Sequence, residues 1–164
     1  MFDWKEFSDL ANDEIRLVSK SRDEPDLEKG HPPRYGFSII HIKDNRDIGV
    51  VYIGIYPEGS RLQYLTGHLS YGVDRHYKGH YYAAQACMLM KKVALAHGLR
   101  RLFIGSVYDN IASRKTILKL EARPITREDV PDDAVLAELK EKGTDMFVWD
   151  MVRWAGMAMR STCE

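Results

Sequence analysis

Val73-Asp74-Arg75-His76-Tyr77-Lys78-Gly79-His80-Tyr81-Tyr82-Ala83-Ala84 stands between two stretches of different hydrophobic period, and that junction decides the fold. Before it, Tyr64 to Val73 reads as a strand, with Leu65, Leu69, Tyr71 and Val73 marking one face. After it, Ala83, Ala86, Cys87, Met90, Val93, Ala94 and His97 recur at steps of three and four, with Gln85, Lys91 and Lys92 between them. Gly98 stands where such a helix would close. Leu102-Phe103-Ile104-Gly105-Ser106-Val107 is then a short apolar run suited to a strand covered on both faces. Strand, helix and strand in this order predict a parallel pair joined by a right-handed crossover. The junction itself carries chemistry. A helix N-terminus offers unpaired N–H donors and positive dipole charge, and a glycine such as Gly79 lets a bulky anion approach the backbone. Phosphate binding is the natural use. An ordinary strand-to-helix turn has the same local signature.

Upstream, Gly36 to Ile42 and Ile48 to Tyr56 read as two strands joined by turn chemistry at Asp44-Asn45, a hairpin. Glu14 to Ser19 reads as a further strand, and Ser21 to Pro33, with Pro25, Gly30, Pro32 and Pro33, as a loop. Downstream, Asp109 or Asn110 caps a helix carrying Ile111, Leu118 and Leu120 on one side. Pro131 to Lys142 reads as a short helix and Met146 to Val152 as a closing strand. These elements predict an α/β (α+β) domain: a mixed, mostly antiparallel sheet with a central parallel β-α-β unit and flanking helices. Residues 1–164 form one domain in this reading, with 154–164 as a frayed tail.

The 24 basic and 24 acidic side chains cancel, so no field attracts nucleic acid or an anionic membrane, and no partner of either kind is expected. The charged opening, Met1 to Leu17, is unlike a secretory signal, and no apolar run reaches the length of a membrane span. Cys87 and Cys163 make no disulfide framework, and a cytoplasmic location fits. No His, Cys, Asp or Glu spacing matches a metal site. Trp149, Trp154, Met157 and Met159 are candidates for a homodimer contact, with a frayed tail as the alternative.

Three strings together resemble the GNAT superfamily of acyl-CoA-dependent N-acyltransferases: Gly67 to Val73, Tyr77 to Ala86, and Asp109-Asn110-Ile111-Ala112-Ser113. The resemblance covers roughly Gly36 to Ala122. It is closest to a bacterial branch with a Tyr-Arg-Gly-His-x-Tyr-Ala-Ala loop. It implies a GNAT-like fold, acetyl-CoA as acyl donor, and a small-molecule or peptide amine as acceptor. The pyrophosphate loop falls on His76 to Tyr81, where His76 replaces the usual Arg or Gln and Tyr81 the second small residue. The resemblance implies that backbone N–H groups of Lys78, Gly79, His80, Tyr81, Tyr82 and Ala83 hold the pyrophosphate. It implies that Tyr71, Gly72 and Val73, on a splayed strand, pair with the pantetheine arm, and that Asn110 and Ser113 meet that arm from the next helix.

In such enzymes the amine attacks the thioester directly, a base removes its proton, and an acid meets the leaving thiolate. The tyrosine often found seven residues after the Asn is Ile117 here, and Glu121-Ala122 stands where Gly-Phe is common. Tyr108 is the substitute candidate for the acid, against packing under the loop. His68 is the candidate base, against a hydrogen-bonded histidine on a sheet face. A thiol near pKa ~8.5 can also leave without a protein acid. Arg100, Arg101, Arg114, Lys115 and Lys119 are candidates for the CoA 3′-phosphate, against solvated charges. The competing function is a non-catalytic acyl-CoA-binding module that has lost its tyrosine acid.

Overall fold

The computed structural model describes residues 1–57 and 59–152. Four strands, β1 (Ile15–Asp23), β2 (Arg34–His41), β3 (Arg46–Gly54) and β4 (Leu69–Val73), make an antiparallel sheet in that order. The second sheet holds β5 (Arg101–Val107), β6 (Arg123–Pro124) and β7 (Thr144–Asp150) in the order β5-β7-β6, also antiparallel. Helices α1 (Leu62–Thr66), α2 (Tyr82–Ala96), α3 (Ile111–Lys119) and α4 (Asp133–Glu141) complete the domain. None of the described helices is long and apolar enough to cross a membrane.

The core has two parts. Ile15, Leu17, Phe37, Ile39, Val51 and Ile53 turn one face of the first sheet toward α2, where Ala86, Cys87, Met90, Val93 and Ala94 are fully buried. Phe103, Met146 and Val148 face the other way and meet Leu65 of α1 and Val135 and Leu139 of α4. Strands β5 and β7 are therefore covered on both sides, which is why they read as continuous apolar runs. Trp149 is 7% exposed within the first cluster, so it belongs to the core and not to a dimer contact. Trp154, Met157, Met159 and Cys163 lie outside the described residues.

The expected strand from Tyr64 to Val73 is half helix. Leu62–Thr66 forms α1, Gly67 turns the chain at φ 76°, and only Leu69–Val73 is extended. A side chain at Gly67 would place its Cβ 2.8 Å from the carbonyl oxygen of Phe103, so the residue allows both the turn and the close approach of β5. Strand β1 continues to Asp23, past a register shift between Ser19 and Ser21, into part of the expected loop. The face of α3 also differs. Asn110 is the cap, but Ile111 and Leu118 are exposed, while Thr116, Ile117 and Leu120 are buried. Three apolar residues suggested a stripe at the wrong phase, because Ile111 turns toward the space beside β4.

The expected parallel pair is the most informative departure. Strands β4 and β5 share no ladder among the described residues. They meet at one point, where the His68 N–H donates to the Phe103 carbonyl (2.6 Å) and the Phe103 N–H donates to His68 Nδ1 (2.9 Å). The His68 ring is 3% exposed, stacked on Phe103 and edge-on to Tyr56. Burial lowers its pKa to about 4.

A histidine held neutral in the fold but free to protonate at about pH 6.5 when unfolded makes the unfolded state bind more protons between these values. Its contribution is complete above about pH 6.5 and is lost as the pH falls toward about 4, by about 3 kcal/mol. In urea titrations His68→Phe should be less stable than the parent at pH 7 by about 1–3 kcal/mol, for the lost acceptor, and should lose this part of the pH dependence. His97, also shifted down by burial, is common to both proteins and cancels. Equal pH slopes in the two proteins would contradict the clamp.

Candidate functional site

Beyond the His68–Phe103 contact β4 and β5 diverge, and a groove of about 910 Å³ opens between β4, the loop before α2 and the start of α3. Main-chain polarity is set by β3. Gly54 N–H donates to the His68 carbonyl and Asp74 N–H to the Ile48 carbonyl, and the pairs Tyr52–Ser70 and Val50–Gly72 fall between them. Even-numbered residues thus bond to β3, and the amides of Leu69, Tyr71 and Val73 face the groove. An unpaired strand edge of this kind is a template for any ligand carrying peptide-like amides.

At the far end Asp74 caps the short turn Arg75–Tyr77, accepting from the His76 N–H, and its carboxylate also meets His76 Nδ1 at 2.9 Å. The Tyr77 hydroxyl donates to Asp44 at 2.8 Å. Both acids lie low in pKa, Asp74 chiefly through the His76 backbone N–H and Asp44 chiefly through Tyr77. The braced turn delivers Lys78, Gly79 (φ 88°) and Tyr81 (φ 60°) to the N-terminus of α2. No side chain caps that terminus, so its first N–H groups are left to solvent or a ligand. A Cβ at Gly79 would meet nothing within 4 Å. Lys78 and His80 are exposed, and the Tyr82 hydroxyl bonds His41 at 3.1 Å.

On the other wall, the Asn110 side-chain oxygen accepts from the Ser113 N–H at 3.0 Å and caps α3, which leaves its amide NH2 as a donor at the groove. The Tyr71 hydroxyl spans from β4 to α3, 3.2 Å from Ser113 Oγ and 3.5 Å from the Ser113 carbonyl. Burial raises its pKa to about 12. Lys115 lines the groove and Lys119 Nζ sits 4.8 Å from the Tyr81 ring centre.

Of the residues singled out in the sequence, Tyr71, Gly72, Val73, Lys78, Gly79, Tyr81, Tyr82, Ala83, Asn110 and Ser113 line this one groove, and His80 stands beside it, its ring stacked on Tyr82. His68 and Tyr108 do not line it. His68 is buried at the clamp, with Nδ1 occupied and Nε2 without a partner. Tyr108 is half exposed, its N–H donating to the Gly143 carbonyl on the β7 side of β5. Ile117 is fully buried in the core. Cys87 is buried and its thiol pKa is pushed up by burial, as suits a packing residue. Among the five basic candidates, Arg101 pairs with Asp129 and Arg114 with Asp145, while Lys115 reaches the groove. The groove residues to which sequence reasoning gave no site role are Thr66, Leu69, Ser70, Tyr77, Gly105, Ile111, Ala112 and Thr116. Ser70 was legible as the alternate face of β4; Thr66 was hidden by reading α1 as strand. A second concavity, of about 660 Å³, lies between Arg61 and α4 and shares no residue with the groove.

Residues 9–123, more than half of the 164, match the family described as "Acetyltransferase (GNAT) domain". No curated protein matches the chain. Among solved structures, an acetyltransferase from Agrobacterium tumefaciens strain C58 aligns with a TM-score of 0.52 at 14% identity, covering 71% of this chain and 60% of that one. The Salmonella typhimurium acetyltransferase described as modifying the N-terminal serine of ribosomal protein L7/L12 gives 0.50 at 16%, over 74% of this chain and 64% of its own. Mycobacterium smegmatis RimJ in complex with CoA-disulfide gives 0.50 at 16%, over 74% and 54%. The chain thus spans less than two thirds of the length of these relatives, and at such identities the likeness speaks for the fold alone. With a mixed α/β fold of this kind and a family match over most of its length, the chain belongs to the GNAT acetyltransferase family.

Proposed function

We propose that this protein transfers an acetyl group from acetyl-CoA to an amine by direct attack of the amine on the thioester. The observation that carries the reading is the groove itself. One wall is a strand edge whose Tyr71 and Val73 amides have no strand partner, and one end is an uncapped helix N-terminus preceded by Gly79. A ligand with amides along an arm and a pyrophosphate at its end matches both features at once. Lys78, Lys115 and Lys119 place positive charge near that end. The acetyl carbon would lie toward the clamp, where a groove-facing β4 amide can polarise the carbonyl. A small molecule or the α-amine of a peptide is the acceptor class. The N-terminal serine that the Salmonella enzyme is described as modifying makes peptides with that terminus the first acceptors to try.

His68 is assigned to holding β4 against β5, since its ring is buried and one nitrogen is engaged. Tyr108 is assigned to packing beside Gly143. A second reading, a binding module without turnover, is favoured by the burial of Ile117 at the position where α3 would otherwise present an acid. A thiol-release assay over small amines and serine-initiated peptides separates the two. Release of CoA with at least one acceptor is expected, whereas acetyl-CoA binding with no turnover on any amine would establish the binding module.

Substitution in the loop tests the donor site. An L-residue at φ 88° is strained by about 1–2 kcal/mol and its side chain would stand where the phosphates must approach. Gly79→Val should therefore abolish measurable acetyl-CoA binding in calorimetry while remaining folded. Lys78→Ala, which removes one exposed charge, should weaken binding by about tenfold at most. A folded Gly79→Val protein with parental affinity would remove the pyrophosphate assignment.

A further inference from the structure

The geometry points to Tyr71 as the hydrogen-bond donor that stabilises the leaving thiolate, with Ser113 as the residue that holds its hydroxyl in place. The inference rests on the acyl-CoA reading of the groove. Ile117 is inside the core, so α3 presents no acid from that turn. Four tyrosines line the groove; two have their hydroxyls engaged elsewhere and a third stands at the far end, before α2. Tyr77 donates to Asp44, Tyr82 bonds His41, and Tyr81, the residue that opens α2, lies beside Lys119 at the end away from the β4–β5 joint. Tyr71 spans from the strand that would polarise the carbonyl to the helix that would flank the sulfur, where its O–H donates to the Ser113 carbonyl over 3.5 Å, a long bond that a thiolate would replace.

The chemistry fits a donor and not a proton source. Burial keeps the phenol protonated, at a pKa of about 12, with the Ser113 bond opposing that shift and Cys87 of α2 adding to it. Handing its proton outright to a thiolate whose conjugate acid lies near ~8.5 would be uphill. A hydrogen bond costs no such transfer. When the amine nitrogen bonds to the acetyl carbon and the C–S bond breaks, the electron pair stays on sulfur and the Tyr71 O–H bonds to it. The proton that finally neutralises the thiolate comes from the attacking nitrogen, which becomes cationic as it bonds to carbon and then gives that proton up, so atoms and charges balance with no other reactant. Ser113, with its hydroxyl 3.2 Å away, can donate to the phenol oxygen and so strengthen the O–H as a donor.

The test needs no acceptor. CoA carrying 13C at the carbon bonded to sulfur is titrated by NMR between pH 6 and pH 10 while bound to the protein. In the parent the bound thiol should ionise at least about one pH unit below its value in Tyr71→Phe, about a tenfold difference in thiolate fraction. Ser113→Ala should fall between them and serves alone if Tyr71→Phe does not fold. Equal thiol pKa values in parent and variants, with CoA bound to all, would overturn the role of Tyr71 and leave the acyl-CoA reading standing. Failure of the parent to bind CoA would overturn both.

Discussion

Two hydrogen bonds between His68 and Phe103 hold the molecule's two sheets together at the point from which they separate. A continuous ladder between β4 and β5 would satisfy every main-chain group on both strands and leave no opening. A gap without any joining contact would leave the amides of β4 without a defined wall opposite. The single joint gives an edge that is fixed in position yet unpaired along Tyr71 and Val73. The glycine before the joint permits it, because any side chain at Gly67 would press on the main chain of β5. The histidine's side chain is what makes the joint two-sided, with its ring nitrogen accepting where a second carbonyl would otherwise be needed.

The rest of the site follows from where that joint lies. Strand β4 runs from it into the Asp74-capped turn, and the turn delivers its backbone to the open end of α2. Strand β5 runs to Asn110, which caps α3 and turns Ser113 toward Tyr71. Both helices lie against the same core cluster, so the groove walls are anchored by buried apolar packing, and the polar groups on its surface are free for a ligand.

Much of this was legible in the sequence. The helix from Tyr82 to Ala96 announced itself by the spacing of its apolar residues, and β5 by its unbroken run, since both are set by burial. Asn110 was legible because capping is local chemistry. The splay of β4 from β5 was not, in bottom-up terms: a strand-helix-strand pattern predicts pairing, and only tertiary packing at Gly67 and His68 prevents it. The same limit hid α1, whose five residues carry too little periodicity to separate helix from strand. Proton-transfer roles were the least legible. A histidine in a sheet pattern and a tyrosine after a strand satisfy the chemistry of a base and an acid equally well whether they face a cavity or a core. The sequence gives Tyr71 a backbone role, and only the distance from its hydroxyl to Ser113 points to more.

The proposed function makes the unpaired edge of β4 and the open terminus of α2 two ends of one acyl-CoA site. Amide hydrogen exchange followed by NMR with and without CoA tests it most directly, because each main-chain N–H is read separately. New protection is expected at Tyr71 and Val73 together with the loop amides from Lys78 to Ala83, and little change at Gly72, which already bonds to β3. Protection confined to other surfaces, or spread evenly over the domain, would contradict it.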